Sequence, residues 1–351
     1  MNVCPFGTHR VVEPKGVLPQ PAWKLDNDMS YDFDQEILID VRRLNIDSAS
    51  FRQILEECGE VFPDKELEDL VGKKIQEIVH TRGKMHNPVT GSGGMLIGQI
   101  SRISPELSVE KGVSIGDKVA TLVSLSLTPL WIDQIQKVYL DRDQVEIKGK
   151  AVLFKSGVLA KLPSDLSEAL ALSILDVAGA PIQTARMVRP GDTVLIVGAA
   201  GKSGILCSYI AKKMTGSIGR VIGLIHEQDN REELEQLHIC DQILTADATQ
   251  ALEVYEKVAR STSENMADVT INVVNAPNSE MGCILSTRNY GKLYFFSMAT
   301  SFTKAALGAE GVGKDLEMII GNGYAKEHAQ YALDIVRENL EIRQLFEKRY
   351  G

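Results

Sequence analysis

The chain has 351 residues, 44% hydrophobic and 24% charged, which is the composition of a globular protein of about two domains at ~150 residues each and excludes wholesale disorder. A net charge of -9 argues against a nucleic-acid groove, because phosphate binding needs a concentrated cationic surface. The most apolar stretch, residues 119–132, is interrupted by Thr121, Ser124, Ser126, Thr128 and Pro129 and is shorter than the roughly 20 residues of a bilayer span.

The opening MNVCPFGTHRVVEPKG has no apolar segment behind a basic one, so a cytoplasmic protein is expected. The five cysteines (Cys4, Cys58, Cys207, Cys240, Cys283) are scattered and never spaced for a zinc knuckle or a disulfide framework, and they read as reduced thiols.

In chain order, residues 1–155 carry isolated strand-like runs (KVATLV, QKVYL, KAVLF), many Gly and Pro residues, and two helical patterns, SFRQILEECG and ELEDLVGKKIQEIVH. This predicts a β-rich domain. The helical stretch DLSEALALSILDVAGAPIQTARMVRPGD leads into the second domain, residues 156–320. There TVLIV, RVIGLI, DQIL, VTINVV and KLYFF alternate with helical patterns, so parallel crossovers and a doubly wound α/β sheet are predicted. Residues 321–351 read as helix packing back on either domain.

The run VLIVGAAGKSG places Gly198, Gly201 and Gly204 between an apolar strand and a helix. A small-residue turn ahead of a helix offers free N–H groups and the positive helix end to a diphosphate. Gly198, Ala200, Gly201, Lys202, Ser203 and Gly204 are therefore candidate cofactor contacts; in the dinucleotide fingerprint, Ala199 stands where the first glycine is expected. The acid that meets the 2′-hydroxyl of NAD is expected at the end of the next strand, where Leu224 and Ile225 stand instead and Glu227 comes two residues late, whereas His226 and Arg231 suit the 2′-phosphate of NADP; NAD and NADP both stay open. Ligands of open α/β sheets bind beyond the carboxyl ends of strands, which adds Asn275 and Ala276, then Ser297 and Met298.

The blocks GSGGMLIGQI, VSIGDKVATLV, LPSDLSEALAL and RPGDTVLIVGAAGKSG resemble the medium-chain dehydrogenase/reductase superfamily. The resemblance implies a GroES-like β-barrel-type domain carrying the substrate site and a Rossmann domain binding NAD or NADP. It also implies that KLYFF comes last in the sheet and presents an apolar edge, which predicts a homodimer or cover by the helices of residues 321–351. Further blocks, among them CPFGTHRVVEPKGVLPQPAWKLDN, GKMHNPVTGSGG, LDVAGAP and FFSMATSFTKAALGAEGVGKD, are similar to amine dehydrogenases of lysine fermentation. These imply oxidative deamination of 3,5-diaminohexanoate to 5-amino-3-oxohexanoate and ammonium. Where catalytic-zinc members carry His and Glu after a glycine, Gly91 is followed by Ser92 and Gly93, so no metal is expected.

Hydride loss without a Lewis acid requires a neutral amine, hence a general base, and a zwitterionic substrate needs one cationic and one anionic anchor. Arg82, Lys84 and Asn87 are the substrate candidates, and His86 and Asp176 the catalytic ones; Asp176 stands in the apolar run SILDVAGAP, where an acid is costly unless partnered. Glu310 and Asp315, in a glycine-rich run expected to be a cleft loop or dimer arm, are runner-up acids. A zinc-free enone or quinone reductase shares the domains and the turn, and a non-catalytic nucleotide-binding protein would share the fold.

Overall fold

The computed structural model describes residues 3–59, 63–297, 299–321 and 323–350. They form two compact units, residues 1–164 and 165–351.

The first unit contains the strands β1 (Val11–Glu13), β2 (Lys24–Leu25), β3 (Glu36–Asn45), β4 (Met95–Arg102), β5 (Lys118–Thr121), β6 (Leu130–Tyr139), β7 (Gln144–Phe154) and β8 (Leu159–Lys161), with helices α1 (Ser48–Cys58), α2 (Asp64–Arg82) and α3 (Pro105–Lys111). Six strands make an antiparallel sheet in the order β6-β7-β3-β4-β5-β8. Because β8 pairs with β5, the first unit runs past residue 155, where the change of sequence texture placed its end. The long middle strand β3 buries Ile37, Ile39, Val41 and Leu44 in a core shared with Ile75 and Val79 of α2. α2 stops at Gly83, whose φ of 68° and capping N–H to Val79 O turn the chain into residues 84–92.

The second unit contains α4 (Glu168–Leu175), α5 (Gly179–Met187), β9 (Thr193–Val197), α6 (Lys202–Thr215), β10 (Arg220–Ile225), α7 (Arg231–Gln236), β11 (Gln242–Thr245), α8 (Ala251–Ser261), β12 (Ala267–Asn272), α9 (Glu280–Ser286), β13 (Thr287–Phe295), α10 (Phe302–Gly311), β14 (Glu317–Ile320), α11 (His328–Glu338) and α12 (Leu340–Tyr350). Its strands are all parallel, in the order β11-β10-β9-β12-β13-β14. Sequence order therefore reverses between β9 and β12, the place where a doubly wound sheet receives its ligand. Residues 194–197 of β9 are all buried, as a strand covered on both faces requires. Leu195 and Val197 face a core with Val254, Ile284 and Phe295.

Two expectations are corrected here, and one that left two outcomes open is decided. KLYFF is not the sheet edge, since β14 pairs outside it. β14 escaped the periodicity because a four-residue edge strand with no buried residue leaves almost no pattern. The run holding Glu310 is a helix, α10, capped by Ser301 and not a loop; both Glu310 and Asp315 are exposed. α11 and α12 belong to the second unit, against α4 and α5.

Candidate active site

The turn between β9 and α6 is shaped by two glycines with different duties. Gly198 has φ 91°, and a Cβ there would lie about 3.0 Å from Val274 backbone. Gly204 lets α6 sit against the strand end, because its Cβ would run into the Gly198 carbonyl and Ala199. Gly201 differs from both. Its φ is -79°, it is exposed, and an added Cβ would meet only Gly198 O at 3.6 Å. Neither backbone nor packing demands a glycine there, so the bareness of the turn serves whatever approaches it. Gly201 caps α6 without a side-chain hydrogen bond, leaving the first N–H groups of a 14-residue helix to a ligand. The residues present thus fit a dinucleotide diphosphate.

The other cofactor candidates lie at the carboxyl ends of the neighbouring strands. After β10, His226, Glu227 and Arg231 are exposed; His226 N–H donates to Asp229 and Arg231 pairs with Glu235 at 2.7 Å. After β12, Asn275 is exposed and Ala276 half-buried. After β13, the Ser297 hydroxyl accepts from Ala299 N–H in a local turn; Met298 lies outside the described residues. Glu280, unmarked in the sequence, is a buried carboxylate that accepts from Ser301 N–H at 2.6 Å and so fixes the start of α10 beside that loop.

Asp176 caps the end of α4 and is exposed, so the apolar run around it does not bury it. A helix turns successive residues to different faces, which a linear reading of SILDVAGAP does not show. Its carboxylate accepts from Lys202 Nζ at 2.6 Å, joining two residues assigned separately to catalysis and to the cofactor.

In the first unit, most polar capacity of the segment after α2 is already used. Asn87 donates to Ser50 O and to Gln53 Oε1, and its oxygen accepts from Val89 and Thr90 N–H. No Asn87 donor is left for a substrate, which corrects that expectation. Lys84 is 0% exposed and donates to the Pro19 and Gln20 carbonyls at 2.7 and 3.0 Å. Burial, then the neighbouring Arg82 charge, pushes its pKa down to about 7. Such a lysine pins the 19–20 backbone and is out of reach as a carboxylate anchor. Arg82 is half-buried; its Nε donates to Trp23 O at 3.1 Å and its Nη1 to His86 O at 2.7 Å, leaving Nη2 uncommitted to those carbonyls.

His86 Nδ1 is buried without a hydrogen-bond partner. Burial, then the Lys84 and Arg82 charges, pushes its pKa down to about 4, so the imidazole is neutral at pH 7. Beside it, Ser92 donates to Asp47 at 2.7 Å, and Ser50 contacts Thr90 and Ser92 at 2.5 and 3.0 Å. This hydroxyl network joins residues some 40 positions apart and has no local sequence signal. Among the described residues no group of three or more His, Cys, Asp or Glu side chains is placed to hold a metal ion.

Residues 9–163 match the family model described as the L-erythro-3,5-diaminohexanoate dehydrogenase N-terminal domain. A protein of Acetoanaerobium sticklandii named L-erythro-3,5-diaminohexanoate dehydrogenase is 58% identical over 350 residues, covering 100% of both chains. One of the same name from Fusobacterium nucleatum is 53% identical over 347 residues, covering 99% of each. Among solved structures, the CurK enoyl reductase superimposes with a TM-score of 0.53 at 16% identity, covering 92% of this chain and 80% of the other. A mycobacterial protein complexed with NADPH gives 0.55 at 15%, covering 90% and 84%. At such identities the two share the fold alone.

Proposed function

Because the chain belongs to the L-erythro-3,5-diaminohexanoate dehydrogenase family, we propose that it carries out the oxidative deamination of L-erythro-3,5-diaminohexanoate with NAD(P)+ and water, giving 5-amino-3-oxohexanoate, ammonium and NAD(P)H; loss of hydride leaves an imine, and water supplies the oxygen that replaces its nitrogen. The observation that carries this reading is the 58% identity sustained over the full length of both chains. The likeness to enoyl reductases extends to the fold only and carries no reductase chemistry.

Bound NAD(P)+ supplies the hydride acceptor. The glycine turn and the free N–H groups of α6 hold its diphosphate. His226 and Arg231 are available to a 2′-phosphate and Glu227 to a 2′-hydroxyl, so NADP and NAD are both proposed.

The hydride leaves the carbon bearing the 3-amino group only when that nitrogen is unprotonated. His86 is proposed as the proton acceptor because its Nδ1 is buried without a hydrogen-bond partner; burial and the Lys84 and Arg82 charges hold its pKa at about 4, so it takes the proton only once the substrate reaches it and the substrate carboxylate offsets the Arg82 charge. Asp176 is proposed as the anion facing substrate ammonium, with Lys202 as its resting partner. Arg82 is proposed as the carboxylate anchor through Nη2, while Lys84 and Asn87 hold the segment in shape.

A homodimer through the β14 edge is proposed, with Ile320 of the strand and Phe302 and Leu307 of α10 among the exposed large apolar side chains of this region. A cytoplasmic setting goes with five free thiols, and no helix among the described residues is long and apolar enough to cross a membrane.

The test follows NAD(P)H absorbance and ammonium release from purified protein with L-erythro-3,5-diaminohexanoate and either NAD+ or NADP+. Turnover with ammonium release is expected. Dinucleotide binding without turnover of this substrate would return the reductase and the non-catalytic binder to the front.

A further inference from the structure

The last turn of α12 ends against the glycine turn. Arg349 donates from Nη1 to Ala200 O at 2.8 Å and from Nη2 to Glu233 Oε2 at 2.6 Å. Glu233 lies in the first turn of α7, the helix that follows β10, and its other oxygen accepts from Lys348 Nζ at 2.6 Å. The next residue, Tyr350, places its ring 5.5 Å from Lys202 Nζ. Ile342 and Phe346, both 0% exposed, seat the helix that carries these groups.

The peptide joining Ala200 and Gly201 is consequently held at both ends. Gly201 N–H donates to Gly198 O at 3.2 Å, and Ala200 O accepts from Arg349. A peptide plane that cannot rotate fixes the direction in which the next N–H groups, those of Lys202 and Ser203, leave the start of α6. These are the donors a diphosphate would use. Through Glu233 the same guanidinium ties the turn to α7, which begins beside the end of β10, where the adenosine ribose of a dinucleotide is received.

We propose that Arg349 is a positioning residue for dinucleotide binding: it sets the glycine turn through Ala200 and, with Glu233 as counter-charge, locks that turn to α7. This inference rests on the dinucleotide reading of the turn. A guanidinium suits the task and an ammonium does not, because its planar fork serves a carbonyl and a carboxylate at once.

The test is calorimetric titration of NAD+ and NADP+ into the wild-type chain, Arg349→Ala, Arg349→Lys and Glu233→Gln, with hydrogen exchange of residues 198–204. Arg349→Ala is expected to weaken binding by roughly tenfold, the effect of losing one charge-assisted hydrogen bond. Exchange of the turn amides rises, Arg349→Lys recovers part of the affinity, and added guanidinium restores binding to Arg349→Ala. Glu233→Gln, which keeps the bond to Ala200, loses less. If the wild-type chain binds neither nucleotide, the dinucleotide reading itself fails. If the wild type binds and Arg349→Ala binds equally well, or loses affinity without recovery by lysine or guanidinium, the positioning role is overturned. Should Arg349→Ala fail to fold, Arg349→Lys decides: a lysine cannot reach both partners, so wild-type affinity in that variant overturns the proposal.

Discussion

The carboxylate of Asp176 lies 2.6 Å from the ammonium of Lys202, joining the end of α4 to the first residue of α6. Asp176→Asn keeps the shape and removes the charge. If the carboxylate meets substrate ammonium, kcat falls at least ~100-fold while the dinucleotide Kd changes less than about threefold. Lys202→Met is expected to do the reverse, weakening the dinucleotide more than it slows turnover. Equal small losses in both, and no further loss in the double variant, would reduce the pair to a surface brace.

His86→Asn tests the proton acceptor. Turnover is expected to fall by roughly 100-fold or more, the usual size of a general-base contribution, with little change in dinucleotide affinity. In the wild-type chain the low-pH limb of kcat/KM assigned to this imidazole should lie near 4, well below the ordinary 6.5, because burial opposes its charge. A limb that persists unchanged in His86→Asn belongs to another group.

Lys84 leaves a signature in stability. Its folded pKa of about 7 lies below the ordinary 10.5, so between these values the unfolded chain holds a proton that the folded chain lacks. Its contribution is therefore fully present above pH 10.5, declines as pH falls and levels off below about 7. Lys84→Met removes the titrating group, and the difference in unfolding free energy between the two proteins should change across that window. A difference flat from pH 7 to 10.5 would mean the amine is protonated in the fold.

Two glycines of one turn should fail differently. Gly204→Ala drives a methyl into the Gly198 carbonyl and is expected to cost about 1–3 kcal/mol of stability, read from a denaturant melt. Gly201→Ala meets nothing closer than 3.6 Å and should fold with stability within about 1 kcal/mol of wild type, yet bind NAD(P)+ at least tenfold more weakly. Undiminished binding by Gly201→Ala would remove the turn as the diphosphate site.

Ile320→Lys places a charge on the β14 edge, where the side chain is 57% exposed. Light scattering is expected to show a dimer for the wild-type chain and a monomer for this variant, with neither fold nor dinucleotide binding impaired. A wild-type monomer would overturn the edge assignment.

The sequence by itself determined the architecture of the second unit and the place of the glycine turn. Both depend on short-range patterns: runs such as TVLIV, buried on both faces, and small residues between a strand and a helix. It missed β14, whose four residues bury nothing, and it read α10 as a loop because glycine content outweighed the Ser301 cap. Chain order named His86 and Asp176 for catalysis and Arg82, Lys84 and Asn87 for the substrate, treating every one as a polar side chain free to act. Tertiary structure decided what each is free to do. Lys84 directs its donors at backbone carbonyls, Asn87 spends its own on Ser50 O and the Gln53 side chain, Asp176 meets Lys202, and His86 keeps an unpartnered ring nitrogen. Partners of that kind come from far along the chain, as Arg349 does for Ala200, and only packing brings them together. Hydrogen-bond satisfaction is set in three dimensions, so the availability of a polar side chain for chemistry is a property of the fold and not of the sequence window around it.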